Sequence, residues 1–211
     1  MPKQSNNLLL NVSLVGITPK IWRELVVPKD AAFFDLHVWL QDAMGWRDSH
    51  LHQFWTVSPY GRDAYRSHNS RISYPYPEME EADEVVDERK EKLSKWFTQP
   101  KTKLWYEYDF GDGWIHEVVL QKFVLLEKGA KTPRITAGKR ACPPEDSGGI
   151  GGYAHLLEAI ADPKHADHQE MMEWLEVIDV APYNPEQFDV NAITFTDTKK
   201  RLREFKAGFG V

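Results

Sequence analysis

Apolar and polar residues alternate through LLLNVSLV (Leu8 to Val15) and IWRELVV (Ile21 to Val27), which predicts two strands closed into a hairpin by the turn GITPK. The period then changes. Leu36, Trp39, Leu40 and Ala43 recur at helical spacing, predicting a helix from Phe33 to Met44 that Asp30 can cap and Gly45 ends. LHQFWTVS (Leu51 to Ser58) reads as a third strand, and Arg62 to Met79 has no period, so it reads as a long surface loop. A thin apolar stripe through Val86, Leu93 and Phe97 predicts a charged helix over 80–97. Strands follow over 103–110 and 114–126 about the turn GDG, then helices over 152–161, 168–178 and 197–205. Hairpins in front and helices behind predict an α+β fold, a largely antiparallel sheet with helices packed on it as a roll-like single domain. That domain is expected over 8–193, with a surface loop at 62–80, a flexible stretch at 1–7 and a basic C-terminal helix at 194–211.

The GDG hairpin has two registers. With a two-residue loop, Asp109 lies opposite His116 as a carboxylate–imidazole pair. With Gly113 as a left-handed bulge, Phe110, Tyr108, Tyr106 and Leu104 face Trp114, His116, Val118 and Leu120. Burial of that aromatic face favours the second register, although it sets Glu107 against Glu117 at a cost of roughly a few tenths of a kcal/mol. His116 is then expected to bond Tyr108 rather than to act as a base.

Composition narrows the function. With 211 residues, 42% of them hydrophobic, and eight tryptophans, the chain can bury a sizeable core. Cys142 is the only cysteine, which excludes an internal disulfide and a multi-cysteine zinc site and suits a reducing, cytoplasmic setting. The start MPKQSNN does not read as a signal peptide, and no apolar run has membrane-spanning length, so no membrane partner is expected. The net charge of −6 argues against non-specific nucleic-acid binding, and the basic TKKRLREFK stretch reads first as a solvated face.

Chemistry concentrates in three places. GWRDSHLHQFW sets His50 and His52 on one face if extended, a seed for a metal site that needs a further ligand such as Asp48, Asp112, Glu145 or Asp146. The plainer arrangement leaves one histidine exposed and packs the other beside Trp55. CPPEDSGGIGGYA satisfies GxGxxA formally, but its prolines preclude a strand and Glu145 and Asp146 would repel a pyrophosphate, so no nucleotide cofactor is expected. The loop is either a shaped helix entrance, capped by Ser147 or nearby backbone, or a rigid mount for two carboxylates that bind a divalent metal or move protons.

IWRELVVP, LQDAMGWRDSHLHQF, YEYDFGDGWIHEV and ACPPEDSGGIGGYAHLLEAI occur together and in order, followed by DPKHADHQEMMEWL and PEQFDVNAI. The chain thereby resembles the plasmid pRiA4b ORF-3-like family over roughly Leu8 to Ile193. The family's molecular activity is not established, so the resemblance implies positions rather than a reaction. It gives weight to His50, His52, His116, Glu145 and Asp146, and it implies a cysteine after PPED where this chain has Ser147. These residues, with Asp109 and Asp112, make a candidate polar pocket, with His52, His116 and Asp146 as candidate metal ligands. The first expectation is an accessory module binding a small molecule or protein partner. The alternatives are a metal-assisted hydrolase and a DNA-transaction accessory protein.

Overall fold

The computed structural model describes residues 6–61, 71–75, 85–127 and 129–208. The elements are β1 (Asn7–Leu14), β2 (Trp22–Pro28), α1 (Phe33–Met44), β3 (His52–Trp55), β4 (Arg71–Ser73), β5 (Val86–Asp87), α2 (Leu93–Trp96), β6 (Lys103–Tyr108), β7 (Trp114–Val124), β8 (Arg134–Lys139), α3 (Gly149–Ala161), α4 (His168–Val177) and α5 (Thr198–Gly208). The strands form one sheet in the order β5-β4-β3-β6-β7-β1-β2-β8, antiparallel throughout except between β4 and β5. The fold is therefore the expected α+β class.

Strict alternation along β1 puts Leu8, Leu10, Val12 and Leu14 in the core, and Leu104, Tyr106 and Tyr108 of β6 join them. Helix α1 is buried on more than its sheet-facing side. Phe205 of α5 packs edge-on against Phe34, and Asp42 accepts hydrogen bonds from the Thr196 amide and hydroxyl, so the C-terminal segment covers the helix from outside. Among the described residues, no helix is long and apolar enough to cross a membrane.

Several expectations are corrected. The β6–β7 register pairs Tyr108 with Trp114, Tyr106 with His116 and Leu104 with Val118, two residues away from the favoured register and unlike either alternative. Asp109 is the cause. Its carboxylate accepts the Gly111 and Asp112 amides, its φ is 56°, and Gly113 N–H returns to its carbonyl, so the connection widens to 109–113. A slip of two keeps the same side chains inside, and Glu107 faces Ile115 rather than Glu117. The helix expected over 80–97 is reduced, over its described part 85–97, to one short turn. Residues 76–84 lie outside the described residues; after them Val86 pairs with β4, Asp87 caps a turn at Arg89, and only Leu93–Trp96 is helical. An apolar stripe that thin lets each residue find its own core contact. Within the expected 62–80 loop, Arg71–Ser73 is a strand, and residues 62–70 lie outside the described residues. Strand β8 was not expected; it pairs along β2 as an edge with little apolar signal. Asp30 does not cap α1: the N-cap is Ala32, whose amide is held by Asp35.

Candidate functional site

Three loops meet beside the C-terminus of α1. Gly45, with φ 88°, ends the helix and turns the chain so that Trp46 Nε1 donates to the Pro143 carbonyl at 2.9 Å. Glu145 then clasps the 46–50 segment. It accepts the Arg47 amide at 2.6 Å, the Ser49 hydroxyl at 2.5 Å and the Tyr108 hydroxyl at 2.8 Å, while the Tyr108 oxygen accepts the Ser49 amide. Burial first, and Glu145 second, hold the Tyr108 phenol well above its ordinary range. With both carboxylate oxygens engaged, Glu145 is a structural member of the constellation.

The PPED loop reaches α3 through successive left-handed glycines, Gly148 (φ 82°) and Gly149 (φ 66°). A side chain at Gly149 would collide with the Asp112 carbonyl, so glycine is required where the two loops touch. Asp112 Oδ2 accepts the Gly148 amide at 3.1 Å, binding the FGDG turn to the helix entrance. Ser147 does not cap α3; the N-cap is Gly148 with no side-chain bond, and Ser147 Oγ is buried without a partner among the described residues. The GxGxxA stretch is thus a shaped helix entrance.

On this frame His50, Asp109 and Asp146 converge. His50 Nε2 lies 3.2 Å from Asp146 Oδ1 and 3.7 Å from Asp109 Oδ2, and one ligand atom from each residue lies within 4.8 Å of the others. Asp109 Oδ1 is occupied by the turn amides, which leaves Oδ2 for the cluster. His50 Nε2 is buried at the atom level and makes no well-directed hydrogen bond among the described residues, despite the short approach to Asp146. Asp109 and Asp146 both have positive φ, 56° and 58°, an uncommon conformation that aims both carboxylates at the imidazole.

The other two candidate histidines lie elsewhere. His116 is fully buried on the inner face of β7 beside Trp46 and Tyr106; Nδ1 approaches the Tyr106 carbonyl at 3.3 Å, not the Tyr108 hydroxyl. Burial lowers its imidazole to about 4, so it is neutral at physiological pH. His52, the first residue of β3, turns inward and away from His50. It bonds Glu88 at 2.9 Å and stacks on His37 with ring centres 3.4 Å apart, rather than packing alone beside Trp55.

His37, Asp48, Glu88, Gln41 and Tyr106 were missed as a group. Gln41 donates to the Tyr106 hydroxyl, which therefore donates to His37 Nδ1, leaving His37 Nε2–H for Asp48. Burial, then the neighbouring His52, lowers the His37 pKa. The sequence did hold a signal: His37 and Gln41 lie four apart on the otherwise apolar face of α1. Cys142 is buried and its thiol is pushed up to about 12, which makes it a poor nucleophile.

Next to the triad opens a cleft of about 680 Å³. Its lining includes Arg47, Cys142, Glu145, Asp146, Tyr183 and Phe188. Asp146 belongs to both the cleft and the triad.

Residues 6–192 match the family described as plasmid pRiA4b ORF-3-like protein. The chain is 33% identical over 199 residues to the uncharacterized protein y4hQ of Sinorhizobium fredii, covering 94% of this chain and 91% of that one. It also resembles the crystal structure of MM3350, a protein of unknown function from Methanosarcina mazei Go1, with a TM-score of 0.75, 37% identity, and coverage of 90% of this chain and 98% of that one. With the match running from β1 through the three converging loops and α4, this chain belongs to the plasmid pRiA4b ORF-3-like family.

Proposed function

We propose that the protein is a binding module that holds a small molecule in the cleft beside the PPED loop. The carrying observation is the cleft itself: its volume of about 680 Å³ suits a small ligand, and its wall mixes aromatic and apolar groups with a few polar ones. Glu145 is engaged internally and the buried Arg23 bonds carbonyls of Trp22, Ala43 and Lys139. The charges left to meet a ligand are then Arg47 against Asp146, Asp179 and Asp189, which favours a neutral or cationic molecule. The test is thermal denaturation against a library of small polar and amine-bearing metabolites, for wild type and for Ala192→Trp, which fills the cleft. Compounds that raise the Tm of wild type alone support the reading. A library without a single such compound sinks it.

A second reading, metal-assisted hydrolysis, is favoured by the orphaned His50 Nε2 between two carboxylates at the cleft edge. One imidazole and two carboxylates suit a divalent cation with positions left open for water and substrate. Elemental analysis of untagged protein would show one equivalent of metal that His50→Ala and Asp146→Ala lose; metal-free wild type after reloading, or an unchanged metal content in both variants, rejects the reading.

A further inference from the structure

At the opposite end of α3 a separate group of metal-ligating side chains comes together, outside the cleft and its rim. His155 projects from α3, His165 from the α3–α4 connection, and Asp167 stands at the N-cap of α4. Asp167 Oδ2 lies 3.2 Å from His155 Nε2 and 4.0 Å from His165 Nδ1, and one ligand atom from each residue lies within 4.8 Å of the others. The two rings are edge to face, with centres 5.4 Å apart at 67°.

Asp167 carries an independent sign. Aspartate at an N-cap ordinarily accepts an amide of the first helical turn, yet this carboxylate makes no such bond and turns to the imidazoles instead. The neighbouring His168 is not available as a ligand through Nδ1, which is bonded to the Ala159 carbonyl at 2.8 Å and ties α4 to α3. Zinc bonds nitrogen and oxygen at about 2.0–2.1 Å, so tetrahedral ligands stand roughly 3.4 Å apart. The 3.2 and 4.0 Å separations bracket that value, and among the described residues the hydrogen bond to be exchanged is the 3.1 Å contact from the Asp167 amide to His165 Nδ1. The buried His37–Asp48–His52 group does not meet the same condition. Its rings are parallel within 2° and stacked at 3.4 Å, so a single ion cannot lie in both ring planes.

We propose that His155, His165 and Asp167 form a binding site for a borderline divalent cation of the zinc class, with solvent completing the coordination. Two imidazoles and one carboxylate select such ions over magnesium or calcium. All three side chains are partly exposed, so the ion enters without opening the core, and it joins α3 to the start of α4.

Calorimetric titration with Zn²⁺ tests the site in wild type, His155→Ala, His165→Ala, Asp167→Asn and His50→Ala. The expected result is a site with a Kd of about 100 µM or tighter, weakened at least about tenfold in the first three variants and kept in His50→Ala. Absence of such a site from wild type, or an unchanged isotherm in any of the three variants, overturns the proposal. Because His50→Ala removes the cleft-edge triad alone, failure there and failure here are separable. A second measurement needs no variant: Zn²⁺ should protect His155 and His165 of wild type from diethyl pyrocarbonate, mapped by mass spectrometry, and equal modification with and without Zn²⁺ also overturns the site.

Discussion

His50 and His52 are two residues apart and end in opposite surroundings. His50 precedes β3 in irregular chain, keeps 28% of its side chain exposed and faces Asp109 and Asp146 across a loop junction. His52 opens β3, is fully buried, and joins His37, Asp48 and Glu88 beneath α1. The buried group is bonded through its centre: the Gln41–Tyr106–His37–Asp48 chain is hydrogen-bonded link by link, His52 Nε2 bonds Glu88, and Arg201 of α5 approaches Asp48 at 3.5 Å from outside, while His52 Nδ1 and Glu88 Oε1 find no partner among the described residues. The cleft-edge group is open, with an imidazole nitrogen unsatisfied and a carboxylate in solvent. What separates the two groups is access: the buried one is sealed from solvent and holds the fold in register, and the exposed one is within reach of a ligand.

The contrast can be broken most forcefully at Glu88. Glu88→Ala strands the buried His52 nitrogen and should cost about 3 kcal/mol or more in urea denaturation, whereas His52→Phe combined with Glu88→Leu should recover much of that loss. A double variant as unstable as the single one would show that the pair does more than satisfy itself.

A smaller effect lies in pH. His116 titrates at about 4 in the folded protein against an ordinary value of ~6.5. Between those values the unfolded chain takes up a proton that the folded one refuses, so stability falls as pH drops through that window. His37, also lowered, adds in the same direction. For His116 alone the loss from pH 7 to pH 5 is about 2 kcal/mol, and His116→Phe should remove that share of the pH dependence. Asp87, lowered to about 2, contributes stability above its ordinary carboxylate range and begins to lose it only at lower pH, which leaves this window to the imidazoles. Equal slopes for wild type and His116→Phe would contradict the assignment.

Glu145→Gln should cost about 1 kcal/mol by weakening the clasp on the Arg47 amide and the Ser49 hydroxyl. The same change should let the Tyr108 phenol titrate lower, readable by ultraviolet absorbance, because one of the influences raising it is the Glu145 charge. The smallest effect is expected at His50. His50→Ala should change stability by no more than ~0.5 kcal/mol, since its charged neighbours are partly solvated. A large loss there would move His50 from the open group to the structural one.

Much of the frame was legible. The β1–β2 hairpin, α1, β6, β7 and α3 follow from periodicity because each buries a regular face, whereas α4 buries Leu175 and α5 rests on the surface through partly exposed side chains such as Phe205. The convergence of HLH, FGD and PPED loops was reached only as an expectation from motifs, and the geometry brings together one member of each: His50, Asp109 and Asp146. Glu145 and Asp112 lie nearby as structural bonds, while His52 and His116 do not join them. His116 faces Tyr106 rather than the expected Tyr108 because one turn, set by the Asp109 carboxylate, fixes the register. Glu88 was illegible because a charged stretch containing Val86, Leu93 and Phe97 looks helical until the neighbouring strands claim it.

By itself the sequence determined the α+β class, the inward face of each long strand and the glycine-shaped entrance to α3, because these depend on local period and backbone freedom. Tertiary structure alone decided which carboxylate meets which imidazole. Those partners come from segments far apart in the chain, such as Asp146 with His50 and Glu88 with His52, and side-chain reach of a few ångströms discriminates only after the sheet has set the loops in place.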